Sequence, residues 1–200
     1  MYGVLTGDVI NSREASSQEW LPILKQTLNL YGNEGKDWEV YRGDSFQLIT
    51  SSKEALKVAL HIKSAMKSFK KLDVRIAIGI GEVDYRDEKV TQSNGEAFTR
   101  SGDQFEQLKK FNLQINTGEE ELNETLNIMF DLALLTFNNW SSTVARVVQF
   151  SFENPDKNQL EIAQELGKSQ SSISEALNRG AYEEILKLNN YFQKQIMELC

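Results

Sequence analysis

Residues 158–180 read NQLEIAQELGKSQSSISEALNRG. Ile162, Ala163 and Leu166 fall on one face of a short helix, and Gly167 can take the left-handed conformation that ends it. Ser169 is a good N-cap for a second helix whose inward positions are Ile173 and Leu177. Ala163 stands ten residues before Ile173 with Gly167 between them, so its small side chain lets the two helices cross closely. The spacing predicts a helix-turn-helix unit, whose second helix can enter a DNA major groove.

The outward residues of that second helix are Gln170, Ser171, Ser174, Glu175 and Asn178, with Lys168 before it and Arg179 after it. Small and amide side chains suit hydrogen bonds to base edges and phosphates. The expected contacts to double-stranded DNA are therefore Lys168, Ser169, Gln170, Ser171, Ser174, Asn178 and Arg179. Gln170, Ser171, Ser174 and Asn178 would meet bases, and Lys168 and Arg179 would hold phosphates. An ordinary αα-hairpin is the plainer reading, but the Ala-Gly-Ile spacing, the cap and the polar face agree on the first one.

Charge limits how such binding works. Residues 139–200 carry 6 basic and 8 acidic side chains, residues 1–110 carry 16 of each, and residues 111–138 carry 5 acidic and no basic ones. A slightly acidic DNA-binding part argues against strong non-specific phosphate attraction. Affinity must rest on local placement of Lys168, Arg179 and helix N-termini, doubled by dimerisation. The one cysteine, Cys200, excludes a disulfide framework or a cysteine metal site within a chain. The sequence opens on no basic stretch followed by an apolar run. Its richest apolar segment, residues 128–137, is short and contains Asp131. The reading is a cytoplasmic chain with no membrane partner.

Ahead of the helical part, residues 2–10 (YGVLTGDVI) read as a buried strand with Asp8 near its end. Ser16 or Ser17 caps a helix carrying Trp20, Leu21, Leu24, Leu28 and Tyr31, and Pro22 should lie in its first turn. Residues 38–41 and 45–50 form a hairpin across Arg42-Gly43-Asp44. Residues 53–70 place Ala55, Val58, Ala59, Ile62, Ala65, Met66 and Phe69 on one helical stripe. The sole histidine, His61, lies beside that stripe and is expected to be a surface or half-buried residue, without a catalytic role.

Residues 74–83 (VRIAIGIGEV) read as a second buried strand, with Gly79 and Gly81 leaving room for a close ligand or backbone. A polar loop, a helix over 95–110 and a last strand over 113–116 follow. The order β, α, β-β, α, β, α, β predicts a mixed sheet with helices on one face, an α+β sandwich of ferredoxin-like type. Residues 119–139 are helical and apolar on almost every face, which predicts burial between domains or subunits. Ser141 or Ser142 caps a helix over 144–152, and the last helix, 182–199, carries an apolar stripe that either pairs subunits or packs back. The expected division is 1–117 for the α+β domain, 118–140 for a connecting helix and 141–200 for an all-α helix-turn-helix domain.

Gly7-Asp8-Val9-Ile10-Asn11-Ser12-Arg13, the hairpin Arg42–Phe46 and the segment Gly95–Phe98 resemble those of the SatD family along the whole chain. The first hundred residues are also similar to a class III nucleotide cyclase core. That resemblance implies Mg²⁺ on Asp8 and Asp44 and a nucleotide ligand beside Asn11, Ser12, Arg13 and Gly43. Carboxylate oxygens suit so hard a cation. Aligned on Gly95, however, Thr99 and Asp103 stand where the family has Asn and Arg, and Val40 stands where a base-recognising Lys is usual. An Asp in place of that Arg would repel a transferring phosphate. Asp44 as a turn residue and Asp8 as a helix cap stay open as alternatives. The leading expectation is a dimeric transcriptional regulator with a catalytically degenerate cyclase-like domain; the alternative is a metal-dependent nucleotidyl transferase or cyclase.

Overall fold

The computed structural model describes residues 1–108 and 112–199; Cys200 and the expected helix end at Lys110 lie outside them. Strand β1 (Tyr2–Ile10) lies at the centre of a five-stranded sheet ordered β2-β3-β1-β4-β5. The others are β2 (Trp38–Tyr41), β3 (Ser45–Ser51), β4 (Asp73–Gly81) and β5 (Leu113–Asn116). β1 runs antiparallel to β3 and β4, and β5 is parallel to β4. With α1 (Ser17–Asn29) after β1 and α2 (Ala55–Lys67) after β3, the first four strands make the βαββαβ arrangement of ferredoxin-like sheets. The hairpin between β2 and β3 turns through Arg42 (φ 54°) and Gly43 (φ 91°), the second of which is a glycine's natural conformation.

The helices cover both faces of the sheet, not one as the element order suggests. Leu5, Leu48, Ile76, Ile78 and Ile80 meet α1 and α2 in the main core. Val4 and Ile49, on the opposite face, pack against Ala97 and Phe98 of α3 (Glu96–Gln107). The reason lies in β4, which is buried on both sides from Ile76 to Gly81 and so needs a cover on each. Gly79 and Gly81 admit that cover. A Cβ on Gly79 would come within 2.2 Å of the Ala97 carbonyl oxygen and 2.4 Å of the Ser101 amide. What comes close is α3: its backbone at Gly79, and the Arg100 and Glu96 side chains with the Ala97 amide at Gly81.

Pro22 falls in the second turn of α1, beyond the expected first; buried Trp20, Leu24 and Leu28 hold the helix together across it. Helix α4 (Glu120–Phe137) buries Leu126, Phe130, Leu134 and Phe137 only. Its other face leaves Ile128, Leu132 and Leu135 more than half exposed, so the described residues supply little cover on that side. The remaining helices are α5 (Ser142–Glu153), α6 (Gln159–Glu165), α7 (Gln170–Arg179) and α8 (Tyr182–Glu198). The apolar stripe of α8 packs back, with Ile185, Phe192 and Ile196 fully buried. One core cluster runs from Leu5 of the sheet through α2 to Ile173 of α7 and Ile196 of α8. Among the described residues no helix is long and apolar enough to cross a membrane.

His61 is 1% exposed, deeper than the surface or half-buried position expected. Its Nδ1 lies 2.7 Å from Tyr31 Oη and its Nε2 lies 3.3 Å from Glu153 Oε1, so polar partners on α5 and beyond α1 satisfy it. Burial and the nearby Glu54 and Glu153 carboxylates push the Tyr31 phenol well above its ordinary pKa.

Candidate nucleic-acid interface

The short helix α6 is fixed at its start by reciprocal capping. Asn158 Oδ1 accepts from the amides of Leu160 (2.9 Å) and Glu161 (3.1 Å), and Glu161 Oε2 accepts from the Asn158 amide at 2.7 Å. It ends through Gly167, at φ 62°, while the Lys168 amide donates back to the Ala163 carbonyl at 2.9 Å. Ser169 Oγ then accepts from the Ser172 amide at 3.2 Å and opens α7. Ile162, Ala163, Ile173, Ala176 and Leu177 are buried, so the two helices are locked to each other and to α5. Gly180, directly after α7, packs against Val148 and Val144, and its carbonyl accepts from Trp140 Nε1 at 3.1 Å.

This frame leaves Lys168, Ser169, Gln170, Ser171, Asn178 and Arg179 exposed on one side, with Ser174 half-buried among them. The structure thus brings all seven sequence-predicted DNA contacts onto the α6–α7 turn and α7. Three of them are already engaged. The Ser169 hydroxyl serves the cap and lies 3.0 Å from Ser171 Oγ. Arg179 Nη2 sits 2.5 Å from Glu175 Oε1. An exposed pair of this kind is worth about 0–1 kcal/mol, so a phosphate can take Arg179 from it at small cost. Ser172, which is not among the predicted contacts, is also exposed in the first turn of α7, and its amide donates to the Ser169 cap.

The predicted nucleotide and metal residues gather elsewhere, at the end of the sheet. Asp8, Asn11, Ser12, Arg13 and Asp44 line a pocket of about 610 Å³ together with Arg75 and Asn112. Gly43 stays in the hairpin turn, outside that lining. Asp8 and Asp44 do not form a pair of unshielded carboxylates. The β1–β4 register sets Asp8 opposite Arg75, and the guanidinium grips the carboxylate with Nε (3.0 Å) and Nη2. Arg75 is held further by the Leu108 carbonyl at 3.3 Å and the face of Phe105. Its hydrogen bonds to Asp8 raise its already high pKa. Asp44 accepts from Ser12 Oγ at 2.6 Å. With one aspartate paired to an arginine, these residues do not fit a Mg²⁺ ion as they stand. Among the described residues no three His, Cys, Asp or Glu side chains gather where a metal could sit. Thr99 Oγ1 bonds back to the Gly95 carbonyl and Asp103 is exposed on α3; neither lines this pocket.

One buried ion pair escaped the sequence reading. Lys63, 2% exposed, donates to Asp73 Oδ1 (2.7 Å) and Asn138 Oδ1 (2.8 Å). Its place four residues after Ala59 and three before Met66 is on the apolar stripe of α2, and that spacing could have signalled burial.

Comparison with family models, with curated proteins and with solved structures finds no match to this chain.

Proposed function

We propose that the chain is a sequence-reading regulator that binds double-stranded DNA through α7, with the sheet domain serving ligand sensing or assembly. The observation that carries this reading is the polar face of α7, exposed on a helix fixed by two caps and a buried seam. Amide and hydroxyl groups on such a helix can meet base edges, while Lys168 and a released Arg179 hold phosphates. The acidic chain, net −7, gains little from non-specific attraction, so doubling the site matters. The apolar, uncovered face of α4 at Ile128, Leu132 and Leu135 supports pairing of two copies. Two reading helices would then meet half-sites about 34 Å apart, or a multiple of that. Replacing Gln170 and Ser174 together by Ala is expected to cost about 1–3 kcal/mol per lost base contact, read by titration of a selected DNA. The melting temperature should barely change, since neither side chain joins the core. Unaltered affinity would move the contact off this face.

A second reading, nucleotide binding at the sheet end, draws on the meeting of Asp8, Asn11, Ser12, Arg13 and Asp44 in one pocket. Mg²⁺ enters it only if Arg75 releases Asp8. Calorimetry with nucleoside triphosphates, with and without Mg²⁺, is expected to show binding without turnover. Equal heat from the Asp8→Asn plus Asp44→Asn chain would remove these residues from the site, and a cyclic product would favour an enzyme, a nucleotidyl transferase or cyclase.

A further inference from the structure

A cleft of about 550 Å³ opens between the sheet-side helices and the helical part, lined by Ile23 of α1, Ser68 and Phe69 after α2, Arg146, Gln149, Phe150 and Glu153 of α5, and Glu165 and Leu166 at the end of α6. Its volume lies in the range of small-molecule sites. Ile23, Phe69, Phe150 and Leu166 give it apolar walls; each is only half-buried, so two aromatic rings face the opening.

The charges of the cleft are unequal in their freedom. Glu153 accepts from Gln149 Nε2 at 2.9 Å and from His61, and the His61 contact holds its carboxyl below the ordinary glutamate range. Glu165 is ion-paired with Lys157, whose ammonium also lies 5.5 Å over the Phe150 ring. Arg146 alone has neither a hydrogen bond nor an ion pair from its side chain among the described residues. A planar five-donor fork left open beside aromatic walls matches a carboxylate attached to a ring. A ligand amine would have to compete with Lys157 or with His61 and Gln149 for its carboxylate.

We propose that this cleft binds a small aromatic carboxylate, the acid group on Arg146 and the ring between Phe69 and Phe150. Gln149 can add its free amide oxygen to a ring hydroxyl or N–H. The walls belong to α1, the turn after α2, α5 and the end of α6, so an occupant touches both the sheet side and the helix that precedes α7. The site stands on its own residues whether or not α7 reads DNA.

Calorimetry on the full chain with benzoate, salicylate and indole-3-acetate tests it, with benzamide and hexanoate as controls. At least one aromatic acid should give saturable heat, and should bind at least ten-fold tighter than either control. Arg146→Gln should weaken that binding ten-fold or more at an unchanged melting temperature, because Arg146 is exposed and supports no other group. Arg146→Lys, which keeps the charge and loses the fork, should fall between. Absence of binding by all three acids overturns the proposal, and so does equal binding by Arg146→Gln. Hexanoate or benzamide binding as tightly as the aromatic acids overturns the ligand class.

Discussion

Asp73→Ala is expected to lower the unfolding free energy by about 3–5 kcal/mol, the cost of leaving one partner of a buried ion pair uncompensated. For a chain of this size that corresponds to a fall in melting temperature of roughly 6–20 °C. Asp73 does more than neutralise Lys63. Its Oδ1 accepts from the Val74 amide at 2.8 Å, and its Oδ2 lies 3.6 Å from Lys67. Truncation therefore leaves two ammonium groups, one of them 2% exposed, with Asn138 as the remaining acceptor. The pH dependence has a definite sign. Burial lowers the pKa of Lys63 in the folded chain, and Asp73 opposes that fall. Between the lowered folded value and the ordinary lysine value near 10.4, the unfolded chain binds more protons, so stability rises with pH. Removing Asp73 widens that window downward, and the variant should regain part of its loss as the pH is raised towards 10. Lys63→Met with Asp73→Ala should be more stable than Asp73→Ala alone, since no buried charge remains. Denaturant unfolding of the three chains at several pH values checks this. A loss under about 1 kcal/mol for Asp73→Ala would mean that water reaches the pair as it reaches a surface one.

Gly79→Ala should be nearly as damaging. The added Cβ meets main-chain atoms of Ala97 and Ser101, not the far end of a side chain, so no rotamer change relieves it. Either α3 lifts from the sheet, losing the hydrogen bond between Thr6 Oγ1 and Ser101 Oγ (3.0 Å), or β4 bends. Overpacking of this kind costs about 1–3 kcal/mol, and the immobile neighbours place it at the upper end. Gly102, also on α3, supplies the opposite sign. A Cβ there meets nothing within 4 Å, and Ala is favoured over Gly in a helix by about 0.8–1.0 kcal/mol. Gly102→Ala should leave stability equal or higher in the same thermal scan. Damage from both substitutions would point to helix geometry in α3, and damage from neither would show that α3 does not rest on Gly79.

These two sites also mark where sequence reading stops. Strand and helix positions follow from local periodicity. The alternation around Trp38–Tyr41 and Ser45–Ser51 locates the hairpin, and the cap and glycine around Ser169 and Gly167 locate α6 and α7. Periodicity gives a residue its face but not what lies opposite. That α3 would cover the far side of the sheet depends on which neighbours Gly79 and Gly81 meet, a non-local fact. The pairing of Asp8 with Arg75 depends on the register of strands more than sixty residues apart in the chain, so one of the two aspartates that looked available for a cation already has a partner. His61 reads only as a residue beside an apolar stripe, and Lys63 gives no local signal of its ion pair, because their partners, Tyr31, Glu153, Asp73 and Asn138, come from other elements. The placement of the seven residues on α7 and its turn is legible in the sequence, since capping and the motif within residues 158–180 are local.

Sequence-specific DNA binding by α7 is the step on which the proposed function turns. Its most direct test is recovery of bound fragments from a sheared genomic library by the full-length chain, beside the Gln170→Ala plus Ser174→Ala chain. The native chain should enrich fragments sharing one quasi-palindromic sequence, with half-sites about 34 Å or a multiple apart, and the variant should lose that enrichment. Fragments without a common sequence, or the same sequence enriched equally by the variant, would contradict it.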